Sequence, residues 1–362
     1  MYDGIGIAPD VATTVLWRLP ASSPLIPSFT KQFTSADQLL ARISSFVSLS
    51  SDTEFGHYQE PQWAFLLDGE DVSAHVAEVV VAADATPQSE QGGAVFQGGV
   101  LSVQLEGPAG DTTIALGMVL VDPAHRRKGI ARRLIQSAML APPARYFLAV
   151  CSEAGYPLYR SLGFQDAGGM VYAMSCSLRD LRRYATSPFA TNNKHGIRTA
   201  DVNDVRDARD MMCTLDQNAT GYDRRGRLNL LLDAEYASGA SSRSVIGYYD
   251  ASTDIPDGCP PCAFAISRRD SEKGPIIVGP MVGPAISALP LLCHISQQHH
   301  PQEDDSRIVS VLVSNHKEEV VDRFLQVEGF AIDWTGPAMT TDGLGIYKDD
   351  SSYLALMHPT LG

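Results

Sequence analysis

Residues 121–131 read VDPAHRRKGIA, and this stretch decides the fold predicted for the chain. It lies between an apolar run typical of a strand and a helical pattern at 129–140, in which Leu134, Ile135 and Met139 share one side. A strand that turns into a helix leaves the first backbone N–H groups of the helix without partners, and the helix dipole adds positive charge there. The stretch therefore predicts a phosphate-binding helix terminus.

The residue types within this stretch suit a pyrophosphate group. Gly129 allows the main chain to approach such a group closely, and the small side chain of Ala131 keeps the approach open. Arg126, Arg127 and Lys128 supply positive charge to neutralise it. Together with Ile130, residues 126–131 are predicted to bind the pyrophosphate of a CoA-type cofactor. The stretch has neither the glycine pattern of nucleoside-triphosphate loops nor that of dinucleotide-binding folds.

The elements around this loop predict a mixed sheet. Before the loop, apolar periodicity predicts a helix at Ala36 to Val47, and polar, glycine-rich sequence predicts a loop at Pro87 to Gly99. Four strands are predicted in the same region: Trp63 to Leu67, Ala74 to Ala83, Val100 to Leu105 and Thr112 to Val121. After the loop we predict a strand, a helix that ends at Gly163 and a closing strand, at Arg145 to Cys151, Tyr156 to Leu162 and Val171 to Ser175. This order indicates an α/β fold.

The second half of the chain repeats this layout. A polar stretch from Tyr184 to Lys194, with one proline and paired asparagines, is predicted to be a linker. Beyond it, helices and strands are predicted at Val202 to Leu215, Arg224 to Tyr236, Arg243 to Tyr249, Ala263 to Ser267, Gly274 to Val278, Ala285 to His299, Ile308 to Leu312 and His316 to Val327. We therefore expect two tandem domains, residues 1–183 and 195–362, joined by the linker 184–194.

The composition limits the class of protein. The chain has 28 Lys and Arg residues against 42 Asp and Glu, so its net charge of -14 disfavours binding to nucleic acid or to an anionic membrane. No apolar run approaches the roughly 18 to 20 residues that cross a bilayer, and no signal peptide is evident. We therefore expect a cytoplasmic protein without nucleic-acid or membrane partners.

Six cysteines in 362 residues are too few for a disulfide framework. Cys259 and Cys262 form a C-x-x-C pair in the segment CPPC, which is one half of a zinc or redox motif. No second pair and no nearby histidine completes a metal site in the sequence. We interpret the segment as a proline-rich turn and predict no metal site.

The chain resembles the GNAT superfamily of acetyl-CoA-dependent acetyltransferases. The pyrophosphate loop of that superfamily has the form R/Q-x-x-G-x-G/A, which Arg126 to Ala131 match. A second motif agrees, because residues 156–164, YPLYRSLGF, resemble the later helix of the superfamily. In that helix a tyrosine four residues before the glycine of Gly-Phe lies near the thioester sulfur, and Tyr159 holds this position.

The resemblance implies roles for residues of the first half. Tyr159 would be the general acid that protonates the departing CoA thiolate, although a tyrosine that only packs in the core fits the same pattern. The backbone of the strand before the loop would hydrogen-bond the pantetheine arm of acetyl-CoA, which implies Met118, Val119, Leu120 and Val121. Glu153 is a candidate base for the attacking amine, or an exposed surface glutamate. The superfamily usually transfers the acyl group directly, so Cys151 is interpreted as a buried strand residue.

The second half resembles the same fold but departs from it at the chemical positions. The turn Gly279 to Pro284 contains two prolines and no arginine, and Phe324 and Leu325 stand where a tyrosine would precede Gly329-Phe330. The resemblance is to a tandem group in which an active first domain precedes a degenerate second one. Asp216, Tyr222 and Asp223 would then contact an amine substrate, and helix capping or domain packing is the alternative role for them.

Three hypotheses for the function follow from the sequence. The leading hypothesis is an acetyl-CoA-dependent N-acetyltransferase that acts by direct attack of a primary amine of a small molecule. The alternative is a non-catalytic acyl-CoA-binding module, or a GNAT fold redirected to other acyl-CoA chemistry. We expect a monomer, because two tandem domains supply the sheet contacts that single-domain relatives make by dimerising.

Overall fold

The structure is a computed structural model, and it describes residues 14–18, 72–80, 94–107, 110–140, 144, 146–187, 196–200, 206–229, 231, 244–249, 262–269, 274–298, 304–314, 317–342 and 352–356. The predicted helix at Ala36 to Val47, the predicted strand at Trp63 to Leu67 and Cys259 lie outside these residues. No helix in the described ranges is long and apolar enough to cross a membrane.

The described residues form two runs of consecutive strands, and each run is followed by helices and strands in alternation. The strands are β1 (Thr14–Arg18), β2 (Val72–Val80), β3 (Ala94–Glu106), β4 (Thr112–Val121), β5 (Tyr146–Val150), β6 (Gln165–Ser177), β7 (Gly196–Ala200), β8 (Ser244–Tyr249), β9 (Ala263–Arg269), β10 (Ile276–Val282), β11 (Ile308–Val313), β12 (Ala331–Thr340) and β13 (Tyr353–Ala355). The α-helices are α1 (Ile130–Met139), α2 (Tyr156–Ser161), α3 (Leu178–Ala185), α4 (Arg206–Thr220), α5 (Ala288–Gln298) and α6 (Glu318–Leu325).

All of these strands join one mixed sheet in the order β1-β2-β3-β4-β5-β12-β6-β11-β13-β10-β9-β8-β7. Strands β1 to β4 form an antiparallel meander, and β4 then pairs in parallel with β5. In the second half β7 to β10 form a second meander, and β10 pairs in parallel with β11. The α/β class with a mixed sheet, predicted from the order of elements, is confirmed.

The two halves of the chain exchange strands at the middle of this sheet. Strand β12 of the second half lies between β5 and β6 of the first half, and it pairs antiparallel with both. Strand β6 of the first half pairs in turn with β11 of the second half, from Ile308 opposite Ser177 to Val313 opposite Tyr172. Each half therefore supplies a strand that the other half uses to complete its part of the sheet.

Three apolar clusters hold the helices on the two faces of the sheet. Helices α1 and α2 pack on one face of the first half, where Leu134, Ile135 and Tyr159 meet Leu116 and Ala149. The other face of β3, β4 and β5 shares a cluster with residues of α4 and with the segment after it, among them Met212 and Leu228. Helices α3, α5 and α6 pack together with β6, β10 and β11 in the third cluster.

Several predicted boundaries were wrong, and the reasons are physical. The predicted loop from Pro87 to Gly99 overlaps β3, because Val95 and Phe96 pair with β2 despite the glycines around them. The predicted closing strand at Val171 to Ser175 is the middle of the 13-residue β6, whose ends are polar and half exposed. The predicted linker begins within α3, since Ser177 accepts a hydrogen bond from the Asp180 N–H and so caps a helix that runs to Ala185.

Candidate functional site

The site predicted from the sequence lies where β4 and β5 separate. The two strands pair in parallel from Thr113 opposite Tyr146 to Leu116 opposite Ala149, and the pairing ends there. Beyond that point β5 follows β12, with Ala338 opposite Val150 and the Cys151 N–H donating to the Pro337 carbonyl. Among the described residues, the rest of β4, from Gly117 to Val121, pairs with β3 alone, and its other edge faces an open wedge.

A β-bulge marks the beginning of this wedge. Gly117 is opposite Leu101 and Leu120 is opposite Gly99, so Met118 and Val119 together face the single residue between them on β3. Met118 has a φ of 51°, which a residue with a side chain seldom adopts. The bulge turns the backbone of β4 at the level where its pairing with β5 stops.

The loop after β4 has the backbone of an anion-binding turn. Asp122 accepts a hydrogen bond from the Ala124 N–H and begins a short 3₁₀ turn, and the chain then passes through Arg127 at φ 64° and Gly129 at φ 75°. Gly129 directly precedes α1 and provides no side-chain cap. Within the described part of the chain, no group accepts a hydrogen bond from the N–H groups of residues 127–131. These donors and the α1 dipole suit a pyrophosphate.

The loop also has room for such a ligand. A Cβ atom built on Gly129 would meet no atom within 4 Å, so the space beside the main chain is open. Arg126, Arg127, Lys128 and Arg132 are exposed around the loop, and Arg126 donates from Nε to the Val121 carbonyl over 3.3 Å. The structure therefore brings together the loop residues predicted from the sequence, and their chemistry fits a CoA pyrophosphate.

Tyr159 lies beneath the wedge on α2. Its side chain is buried, and its ring packs edge-on against Phe164 with centroids 5.1 Å apart. Burial, with a smaller effect from the neighbouring Cys151, raises the pKa of the Tyr159 phenol above its usual range. No described residue hydrogen-bonds its hydroxyl. The phenol is thus a protonated donor whose O–H remains available.

Cys151 ends β5 at the same level of the sheet. Its Sγ lies 3.4 Å from the Met339 Sδ of β12. Burial, followed by the nearby Asp166 carboxylate, raises the pKa of the Cys151 thiol to about 12. A thiol of this kind is almost wholly protonated near neutral pH, and so it is a poor nucleophile. The structure agrees with the interpretation of Cys151 as a buried strand residue.

Glu153 lies in the turn between β5 and α2. The residue is exposed, and the turn is held by hydrogen bonds from the Gly155 and Tyr156 N–H groups to the Ser152 carbonyl. Its position next to the end of β5 suits a base, and its exposure equally suits a surface residue. Its assignment as a base remains a prediction.

Asp216 and Tyr222 lie elsewhere. Both carboxylate oxygens of the fully buried Asp216 accept hydrogen bonds from Arg224, at 2.5 and 3.0 Å, and the Arg224 guanidinium lies over the Tyr353 ring. Tyr222 is buried near Thr113 and Tyr146, at the end of β4 opposite to the loop, and the Asp223 N–H donates to the Glu106 carbonyl of β3. These contacts favour the packing role that the sequence had left open for them.

The corresponding wedge in the second half is filled by the chain itself. Strands β10 and β11 pair in parallel from Ile276 opposite Val309 to Val278 opposite Val311, and then separate as β4 and β5 do. Strand β13 enters between them, with Met281 opposite Ala355 and Val313 opposite Ala355. The Gly283 N–H in the following loop donates to the Ser352 carbonyl. Residues 283–287, GPAIS, carry no basic side chain.

Sequence reasoning missed the contribution of β12 to this site. Gly336 faces Cys151 so closely that a Cβ atom built on it would lie 2.5 Å from the Cys151 carbonyl oxygen and 2.3 Å from the Trp334 ring. Residues 331–340, AIDWTGPAMT, contain a glycine and a proline and lack the alternation of a strand. No local signal could have placed this segment beside β5.

Comparison with known proteins supports the fold and matches one family domain to part of the chain. A family model of the acetyltransferase (GNAT) domain matches residues 76–166. No curated protein matches the sequence. A Pyrococcus horikoshii protein provisionally assigned as an acetyltransferase is 15% identical, with a TM-score of 0.54 and 96% of each chain covered.

Two further structures share the fold. A tandem GNAT protein from the clavulanic acid biosynthesis pathway is 14% identical, with a TM-score of 0.58, and the match covers 90% of this chain and 97% of that one. A glucosamine N-acetyltransferase region of a fungal multi-domain β-N-acetylglucosaminidase is 12% identical, with a TM-score of 0.59. That match covers 92% of this chain and 38% of the other. Residues 76–166 therefore match an acetyltransferase (GNAT) domain, and the chain shares the fold of the tandem GNAT protein.

Proposed function

We propose that the chain is an N-acetyltransferase that uses acetyl-CoA to acetylate a primary amine of a small molecule. One observation carries the proposal: a loop with unpaired N–H groups leads directly into an open wedge that has Tyr159 beneath it. Acyl transfer in general is what the family does. The proposal adds two specific points: the acyl group is acetyl, and the acceptor is a primary amine of a small molecule.

Binding of the cofactor is assigned to the first half. The N–H groups of residues 127–131 and the α1 dipole would hold the pyrophosphate, and Arg126, Arg127 and Lys128 would neutralise its charge. The unpaired edge of β4, from Met118 to Val121, would hydrogen-bond the pantetheine arm as an added strand would. When bound, acetyl-CoA supplies a thioester whose carbonyl carbon is open to attack by a neutral amine.

Two side chains serve the chemistry in this proposal. Tyr159 keeps its proton because burial raises the pKa of its phenol, so it can donate that proton to the leaving sulfur. Glu153 takes up the proton of the attacking amine, directly or through water. The protonated thiol of Cys151 favours direct transfer over an acyl-enzyme on that residue.

We propose one cofactor for each chain. In the second half, β13 fills the position that is an open wedge in the first half. The loop after β10 has no basic side chain, and its Gly283 N–H already donates a hydrogen bond. A pantetheine arm would have to displace β13, whose residues Tyr353, Leu354 and Ala355 are fully buried. The cost of exposing them opposes a second cofactor.

The first test is a calorimetric titration with acetyl-CoA and with CoA, made on the wild type and on Gly129→Glu. The matched control is Gly110→Glu, because Gly110 is also exposed, has a φ of 74° against 75° for Gly129, and would likewise meet no atom within 4 Å. Both variants carry the same backbone strain and the same added charge. We expect one cofactor per wild-type chain, unchanged binding in Gly110→Glu, and loss of binding in Gly129→Glu.

A screen of amines for release of free CoA thiol then separates binding from catalysis. Turnover of a primary amine supports the acetyltransferase. Binding without turnover of any amine would support a non-catalytic acyl-CoA-binding module, and turnover only with longer acyl groups would support other acyl-CoA chemistry. Failure of the wild type to bind acetyl-CoA would leave a similarity of fold alone.

A further inference from the structure

The strand exchange brings one large side chain of the second half to the candidate site. Strand β12 pairs with the end of β5, so its residues lie beside the turn that leads to α2 and Tyr159. Trp334 is a partly buried member of this strand and packs against the cluster that contains Met118 and Leu120 of β4. A residue 175 positions after Tyr159 in the chain is thereby a neighbour of the wedge.

The position of the Trp334 indole is fixed by Gly336. The ring atoms Cη2 and Cζ2 lie 2.3 and 2.5 Å from the point where a Cβ of residue 336 would stand, and the Cys151 carbonyl oxygen lies 2.5 Å from the same point. Only a glycine leaves this space free. The benzene edge of the indole is therefore seated over Gly336, close to the last residue of β5.

Trp334 is on the face of the sheet opposite to α1 and α2. Helices α1 and α2 cover the opposite face, where their side chains pack with Leu116 and Ala149. On the Trp334 face, residues of α4 join the same apolar cluster as Trp334, and Tyr222 lies near the start of β4 and β5. Met118, Leu120, Val150 and Trp334 belong to one apolar cluster on this face.

We propose that Trp334 is a specificity-determining residue. Its indole packs against the part of the acceptor that does not react. This inference rests on the proposed function. The acceptor class that fits is a primary amine carried on a ring, either aromatic or saccharide, because both present a flat apolar surface to an indole face.

The apolar character of four residues beside the wedge favours a ring over a linear polyamine as the acceptor. Met118, Leu120, Val150 and Trp334 are all apolar or aromatic, so none of these four side chains offers a carboxylate to a second ammonium group. A polyamine that packed against them would lose hydration around that group without gaining an ion pair from them. A ring loses little hydration and gains contact area.

The experiment compares three acceptors, benzylamine, glucosamine and putrescine, with the whole chain. Acetyl-CoA is saturating when the acceptor is varied, and the acceptor is saturating when acetyl-CoA is varied. Trp334→Leu keeps an apolar side chain on β12 but removes the ring, and Trp334→Phe restores an aromatic face. Asp333→Ala is the control, because Asp333 is exposed on the same strand. The KM for each acceptor, the KM for acetyl-CoA, kcat and the melting temperature are measured for each variant.

We expect the wild type to have a lower KM for a ring-bearing amine than for putrescine. Trp334→Leu should raise the KM for the ring-bearing amine by roughly five- to tenfold, the size of a lost aromatic contact, and leave the KM for acetyl-CoA and for putrescine unchanged. Trp334→Phe should recover most of the loss, and Asp333→Ala should behave as the wild type. Whether benzylamine or glucosamine responds distinguishes an aromatic ring from a sugar.

Other results would overturn the inference. If Trp334→Leu changes all three acceptors equally, or changes kcat and the KM for acetyl-CoA instead, Trp334 has only a structural role. If the wild type prefers putrescine, the acceptor class is wrong while the acetyltransferase stands. If the wild type binds acetyl-CoA and acetylates none of the three, this inference fails, and the amine screen decides the function separately.

Discussion

Burial controls the protonation of the two residues nearest the wedge. Tyr159 and Cys151 are close enough to influence each other, and burial raises the pKa of both groups. Each therefore stays neutral as pH rises through about 10, where an ordinary tyrosine ionises. A neutral phenol donates a proton, and a neutral thiol is a weak nucleophile, so the same burial assigns the two residues different roles.

Replacement of Tyr159 by phenylalanine tests its role as the acid. The variant keeps the edge-on contact with Phe164 and removes a hydroxyl that no described residue bonds, so the melting temperature should change little. We expect kcat to fall by about 100-fold or more, the usual contribution of a general acid, with acetyl-CoA binding retained. In the wild type, kcat should show no alkaline decline from ionisation of Tyr159 near pH 10, about the usual tyrosine pKa. An unchanged kcat in the variant would show that Tyr159 only packs.

At the scale of single elements, the local signals predicted the loop and its flanking elements well. The strand before the loop, α1, β5 and α2 were all found within a few residues of their predicted ends, because hydrophobic periodicity and a glycine C-cap are local features. Strands β12 and β13 were missed. Their stability comes from partners far away in the sequence, and neither alternates in the way that reveals a half-buried strand.

The residues of the candidate site were likewise predictable only where they stand in local motifs. Arg126 to Ala131 and Tyr159 stand in local motifs, and the structure places them around one wedge. The contacts of Asp216 were not predictable, since its partner Arg224 and the Tyr353 ring beneath that partner come together only in the folded chain. A buried aspartate and an acceptor-binding aspartate look alike in sequence.

The buried Asp216–Arg224 pair should stabilise the link between α4 and the segment that follows it. Asp216→Ala removes the carboxylate to which the buried Arg224 guanidinium donates two hydrogen bonds, and we expect a loss of about 3 to 5 kcal/mol in the free energy of unfolding. Acetyl-CoA binding by the folded fraction should be unchanged. Denaturant unfolding measures the loss.

The control for this pair is Asp210→Ala in the same helix. Asp210 pairs with Arg225 at 3.8 Å on the surface, where both side chains are largely exposed, so its removal should cost at most about 1 kcal/mol. Equal and small losses in both variants would mean that the Asp216 pair contributes no more than a surface pair. If Asp216→Ala is as stable as the wild type and has a raised KM for the acceptor, Asp216 contacts the substrate after all.

At the scale of the whole molecule, the tandem halves are not two independent units. Without the second half, the edge of β5 beside Cys151 would lose β12, and β6 would lose both of its neighbours, β12 and β11. Unpaired strand edges expose backbone groups and promote aggregation. The linker between the halves is then less important for their association than the strands they exchange.

Cleavage of the chain between the halves tests this directly. A protease site placed within residues 188–195, after the end of α3, would cut the backbone without cutting any exchanged strand. Because β12 and β6 each remain in the partner's part of the sheet, we expect the two fragments to coelute in size-exclusion chromatography, unfold in one transition and bind acetyl-CoA as the intact chain does. Fragments that separate, or a first fragment that binds acetyl-CoA alone, would contradict the exchange and with it the placement of Trp334 at the wedge.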